Sequence, residues 1–305
     1  MSALADHLSD YLTLRRGLGF ALGRHGHDLQ DFVAFLDAAG AERVTVDLAV
    51  AWVRSKEQWK PITVDFRISA VRGFAQYLHA IDPDTEIPPA GLLSVPRRRP
   101  APHVYSPAEI DALLAAASEL KPPLRAATLT TLLGLLTVTG MRLGEARALT
   151  RHDVALDDGV IVIRHAKFDR MRLVPLHATT AAALRRYDLT RDLLCPEPLT
   201  DRFFLSSNGG ALSGSVVDQT FRRLTAVVGL RDGGVGPRVH DLRHTFAVRT
   251  LTDWQRDGVD ISTQLPVLST YLGHVEPKNT YWYLSAVPEL MHTAAARLER
   301  DGTRS

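Results

Sequence analysis

Residues 88–104, PPAGLLSVPRRRPAPHV, constrain the fold more than any other stretch, because they cannot continue a helix or form a central strand. Each proline fixes φ and removes a backbone donor, and a run of them stays extended and solvated. The chain therefore divides into residues 1–87 and residues 105–305 joined by a linker. At the usual ~100–200 residues per domain, a length of 305 has room for a core in each part.

Residues 1–87 read as four helices. Apolar side chains recur at helical spacing in Leu29, Phe32, Val33 and Leu36, and again in Ile68, Val71, Phe74, Ala75 and Leu78, with stops at Gly40 and Asp82-Pro83. The second part opens at Ser106-Pro107-Ala108-Glu109, which has the hydroxyl, the N1 proline and the N3 carboxylate of a capping box. A buried helix through Leu129, Leu132, Leu133 and Leu136 should stop at Gly140, just before Arg142. Residues 160–163 and 172–175 read as a β-hairpin with Lys167 and Asp169 in its turn. The expected fold is mainly α in two domains, the first all-helical and the second mixed α+β with a small antiparallel β-sheet.

Composition narrows the setting. A lone cysteine, Cys195, excludes an internal disulfide and a cysteine-only metal cage, and fits a reducing, cytoplasmic location. No signal peptide is expected, since Asp6 and Asp10 interrupt the first residues. The longest uncharged stretch, 126–141, is too short for the ~20 residues of a bilayer span, so no membrane partner is expected. A net charge of +2 is too small to imply a polyanionic partner alone, so any basic surface must come from local clusters. Candidates are Arg24, Arg54, Lys60 and Arg67 on the first helices and Arg97, Arg98 and Arg99 in the linker.

Chemistry concentrates in residues 240–283, which read HDLRH at 240–244, YLGH at 271–274 and TYWY at 280–283. In a helix His240, Arg243 and His244 share one face at i, i+3 and i+4. His274 and Tyr283 lie nine residues apart, so one straight helix would put them on opposite faces. Gly273 supplies a stop and Pro277 a fresh start, so that both can turn inward.

The order H-x-x-R-H, L-G-H and a tyrosine nine residues on, preceded by TGMRLGE at 139–145 and by Lys167 before RLVPL at 172–176, resembles the tyrosine recombinase (phage integrase) family. The resemblance implies an N-terminal core-binding domain (1–87), a linker (88–104) and a catalytic domain (105–305) acting on double-stranded DNA. It implies catalytic roles for Arg142, Lys167, His240, Arg243, His274 and Tyr283, with Glu145 and His244 in support. Arginine suits a phosphodiester because its planar fork holds two oxygens and stays charged. The tyrosine would form a 3′-phosphotyrosine, and the ester conserves the energy of the broken bond, so no cofactor and no metal are expected. Lys167 would protonate the departing 5′-oxygen. Lys60 and Thr63, opening the fourth helix with Pro61 and Ile62, are the expected groove readers.

The resemblance further implies a homotetramer on DNA and a monomer or weak associate when free. A last helix from Pro288, carrying Leu290, Met291, Ala294 and Leu298, would be exchanged between protomers. Other readings are a type IB topoisomerase-like DNA relaxing enzyme and a non-catalytic DNA-binding regulator. A zinc protease, suggested by His240 and His244 at i and i+4, is disfavoured because Asp241 is too short for the glutamate's role and Arg243 would sit beside a dication.

Overall fold

A computed structural model describes every residue except 1, 21, 56–58, 94–100, 167–169, 233–235, 275, 277 and 287–305. The chain forms two compact units, Met1–Pro100 and Ala101–Ser305, divided within the proline-rich stretch.

The first unit holds four helices, α1 (Ala3–Gly17), α2 (Gly23–Ala38), α3 (Val46–Arg54) and α4 (Pro61–His79). Their starts are chemically marked. Ser2 and Thr45 each accept a hydrogen bond from the third backbone N–H beyond them, and Pro61 occupies the first turn of α4. The apolar stripes meet in one core that includes Leu29, Phe32, Leu36, Trp52, Val71 and Phe74.

The second unit contains α5 (Pro107–Ser118), α6 (Pro123–Thr139) and α7 (Leu143–Ala148), then strands β1 (Val154–Ala155), β2 (Val160–Ala166) and β3 (Arg170–Pro175). It continues through α8 (Ala178–Leu194), α9 (Gly214–Val227), α10 (His240–Arg256), α11 (Ile261–Leu272) and α12 (Lys278–Ala286). The expected capping box is present: the Ser106 hydroxyl accepts from Glu109 N at 3.2 Å and the Glu109 carboxylate from Ser106 N at 2.6 Å. The three strands form one antiparallel sheet in the order β1-β2-β3. Ile161, Ile163 and Val174 point inward from it, while Met171 and Leu173 are exposed. Because strand side chains alternate, Arg172 falls on the inward face, paired across the sheet with Ile163.

Two glycines end helices where the site is built. Gly140 follows α6 with φ 60° and Gly273 follows α11 with φ 65°, in the left-handed region that disfavours a Cβ. Space enforces the choice at Gly140, where a Cβ would stand 2.5 Å from the Phe246 ring. Among the described residues no helix is long and apolar enough to cross a membrane.

Candidate active site

A helix that stops on a left-handed glycine leaves its last carbonyls without intrahelical partners, and its C-terminus carries partial negative charge. Both features attract guanidinium groups here. Arg243, on the first turn of α10, donates from Nη1 to the Gly140 carbonyl at 2.8 Å and from Nη2 to the Leu272 carbonyl at 2.6 Å, bridging the ends of α6 and α11. Arg142 donates from Nη2 to the Gly273 carbonyl at 2.8 Å and from Nη1 to Glu145 at 2.8 Å. The side chain of Arg142 is 38% exposed, whereas Arg243 is only 2% exposed as a residue. Burial first, and then the Arg142 charge, lower the Arg243 guanidinium to about 10, which leaves it cationic at neutral pH.

Glu145 sits between cations. Burial alone would raise its carboxyl, but the hydrogen bonds and charge of Arg172, together with Arg142, outweigh that and hold it at about 2. Its Oε2 also accepts from the Arg142 backbone N–H at 2.9 Å, just before the start of α7.

The histidines and the tyrosine gather beside this charge. His240 and His244 lie edge to face with ring centroids 4.6 Å apart. The Nδ1 of His244 shares a hydrogen bond of 3.0 Å with the Tyr283 hydroxyl. The ring of His274 stacks on Tyr283 at 6.2 Å, and its Nδ1 meets the Thr280 hydroxyl at 2.7 Å. Protein packed around the inner side of His240, and then the Arg243 charge, push its imidazole down to about 4, so it is neutral at pH 7 although its outer edge remains exposed. Tyr283 is 1% exposed and belongs to a small core with Ala247, Leu251, Leu268 and Leu272, whereas Tyr281 is 54% exposed. Both tyrosines lie on α12, where two residues of helix turn the side chain by about 200°, while the break after Gly273 lets His274 and Tyr283 both turn inward.

Helix α10, which carries three of these residues, is pinned at the start of the second unit. Tyr105 N donates to the Thr245 hydroxyl at 3.0 Å, and Arg249 Nη2 donates to the Tyr105 carbonyl at 2.9 Å.

The sequence model of the phage integrase family matches residues 104–289, which span all of these groups. The chain belongs to this family. It is 43% identical over 308 residues to a protein of Sinorhizobium fredii named as an integrase/recombinase, with 98% of each chain covered. To the tyrosine recombinase XerD of Caulobacter vibrioides it is 30% identical over 271 residues, covering 88% of this chain and 82% of that one. Among solved structures, a Tn1549 transposon integrase bound to transposon right end DNA superposes with a TM-score of 0.66 at 18% identity, covering 96% and 98% of the two chains, a likeness of fold. The protein is thus a tyrosine-type site-specific recombinase, mainly helical with a small antiparallel sheet.

Within this recombinase fold, Arg142, Glu145, His240, Arg243, His244, His274 and Tyr283 come together. Lys167, Arg97, Arg98, Arg99 and the last helix expected from Pro288 lie outside the described residues. On the first unit Arg24, Arg54 and Lys60 are exposed and Thr63 is partly so. Arg67 differs. Its Nη2 pairs with the buried Asp28 at 2.9 Å and its guanidinium lies 3.3 Å from the ring centre of Trp59, so the side chain is turned into its own unit. Arg172 was not among the sequence candidates. The alternation of β3, which turns an arginine inward beside Val174, is the signal that marks it, since an inward charge needs a partner.

Proposed function

We propose that this recombinase cuts and rejoins double-stranded DNA through a covalent 3′-phosphotyrosine formed by Tyr283. The reading is carried by Arg243, a buried guanidinium that among the described residues is held by carbonyls, with Arg142 and the tyrosine beside it. A phosphodiester under attack gains charge on its non-bridging oxygens, and preorganised cations lower that barrier most. Arg142 and Arg243 supply the cations. His240, neutral at pH 7, and His274 add hydrogen-bonding groups at the same phosphate. Tyr283 rests on His244, which holds the phenol and can receive its proton as the hydroxyl turns out of its core to meet phosphorus. Lys167 returns a proton to the 5′-oxygen. The ester retains the bond energy, so rejoining requires only attack by a 5′-hydroxyl.

In this reading residues 1–87 form the core-binding domain, 88–104 the linker and 105–305 the catalytic domain. Arg24, Arg54, Lys60 and Thr63, with the linker arginines, meet the duplex largely through phosphates. A lambda integrase of similar fold was solved as a tetramer on a Holliday junction (TM-score 0.62, 17% identity, 92% of this chain and 76% of that one), which supports a DNA-bound tetramer here; the same proposal has it act on DNA in the cytoplasm.

The test uses duplexes bearing the site that wild-type protein enriches from a randomised library, nicked so that the cleaved strand end escapes. Wild type accumulates a covalent protein–DNA adduct in the presence of chelator, and Tyr283→Phe binds the duplex but forms none. An adduct from Tyr283→Phe overturns the reading.

A further inference from the structure

We propose that Arg172 is a positioning residue of the recombinase, acting through Glu145 to fix the fork of Arg142 against the scissile phosphate. The inference rests on the reading of Arg142 given above. Each oxygen of Glu145 accepts two hydrogen bonds. Oε1 takes Arg142 Nη1 at 2.8 Å and Arg172 Nη1 at 3.0 Å; Oε2 takes the Arg142 backbone N–H at 2.9 Å and Arg172 Nη2 at 2.8 Å. Arg172 therefore grips the carboxylate with both ends of its fork, and the carboxylate grips Arg142 by side chain and backbone at once. With Glu145 and the Gly273 carbonyl fixing one hydrogen of each Nη, Arg142 keeps its Nε–H and the remaining Nη hydrogens for an outside anion.

Exposure separates the two arginines. The side chain of Arg172 is 13% exposed against 38% for Arg142, and its Nε is buried without a hydrogen-bond partner. Arg172 is thus committed to the carboxylate, and Arg142 remains open to solvent. Room for both depends on Gly273, where a Cβ would stand 2.7 Å from Arg172 Nη1 and 3.4 Å from Arg142 Nη1. A lysine could supply the charge of Arg172 but not the two parallel bonds that stop the carboxylate rotating.

The charges around Glu145 come from several elements. Arg142 precedes α7, Arg172 comes from β3 and Arg243 from α10. His152, Asp153, Arg164, Asp201 and Arg202 line a cavity of about 560 Å³ that Glu145 also borders. Of these, Arg172 gives the largest hydrogen-bonding contribution to keeping Glu145 ionised. Without it, burial acts on a carboxylate left with one hydrogen-bonded guanidinium, and its pKa rises. The folded pKa is depressed, so the ionised form persists in wild type until pH falls to about 2; in its absence protonation begins at higher pH and releases Arg142.

Two measurements on the full-length protein test this: single-turnover adduct formation on the nicked selected duplexes between pH 5 and 8, and the titration of the Glu145 carboxyl carbon by NMR without DNA. Arg172→Met is expected to slow adduct formation about 100-fold at pH 7, the scale of a ~1 Å misplacement, with DNA affinity within about threefold of wild type. It should also gain an acid limb that tracks a raised Glu145 titration. Arg172→Lys, which keeps the charge, should lose about tenfold in rate across the range without that limb. It carries the test if the methionine variant does not fold. A methionine variant that loses rate equally at every pH, or whose Glu145 still titrates at about 2, overturns the proposal. If wild type forms no adduct, the reading of Arg142 falls, and the carboxyl titration still decides whether Arg172 holds Glu145.

Discussion

Among the described residues of the second unit two arginines are almost wholly buried, and their charges are met differently. Arg191, on α8, is 0% exposed and donates from Nη1 to Asp192 at 2.9 Å and from Nη2 to the Arg202 carbonyl at 3.1 Å, with Asp188 at 3.9 Å. Both aspartates also bind Arg151, so charge is balanced within that edge of the fold. Arg243 is 2% exposed and is held by the Gly140 and Leu272 carbonyls, and among the described residues no carboxylate lies within ion-pair distance of it. Carbonyl dipoles orient a guanidinium without cancelling its charge, and two helix C-termini add favourable potential. A buried cation left in this state retains its attraction for an anion from outside, whereas one matched by carboxylates has spent it on the fold.

Removing each guanidinium in turn should have opposite consequences. Arg243→Met should reduce adduct formation by about 10³-fold, on the scale of losing a transition-state donor, with far-ultraviolet circular dichroism unchanged. Arg191→Met should instead cost about 2 kcal/mol of stability, below the range for a fully buried pair because Asp192 is half exposed, while folded protein keeps its rate. A stability loss from Arg243→Met larger than that from Arg191→Met, with little effect on rate, would invert the assignment.

A smaller effect sharpens the same contrast. Inorganic phosphate at ten times its dissociation constant should raise the stability of wild type and of Arg191→Met by about 1.4 kcal/mol, and that of Arg243→Met by far less, read as shifts in thermal midpoint. The smallest effect concerns His240. Its folded pKa of about 4 lies below the ordinary ~6.5, so the unfolded chain binds the proton more readily between those values. The contribution of His240 to stability is complete above about pH 6.5 and is lost as pH falls toward 4, and His240→Gln should flatten that part of the acid stability curve.

Local chemistry made much of this legible before the fold was known. Gly140, Gly273 and the Ser106–Glu109 capping box act within a few residues of themselves, so helix ends could be placed from sequence. The inward turn of both His274 and Tyr283 followed from the helical repeat once the Gly273 break was recognised. Arg172 was hidden because its partner Glu145 lies 27 residues away and the pair exists only when β3 packs beside α7. Arg67 was misleading for a related reason. A basic residue on a helix looks the same in sequence whether it faces water or, as here, Asp28 and Trp59. The two-residue strand β1 is too short to leave a periodic pattern.

The proposed chemistry depends on Tyr283 as the group that takes the phosphate, because the buried Arg243 acts on its phenol and His244 and His274 lie against it. The direct measurement is mass-spectrometric mapping of the peptide that carries the nucleotide after wild-type protein is trapped on the nicked duplex. The account predicts a single modified tyrosine, Tyr283, joined to the 3′-phosphate of the cleaved strand. A nucleotide on Tyr281 or on another side chain, or a 5′-phosphate linkage, would contradict it.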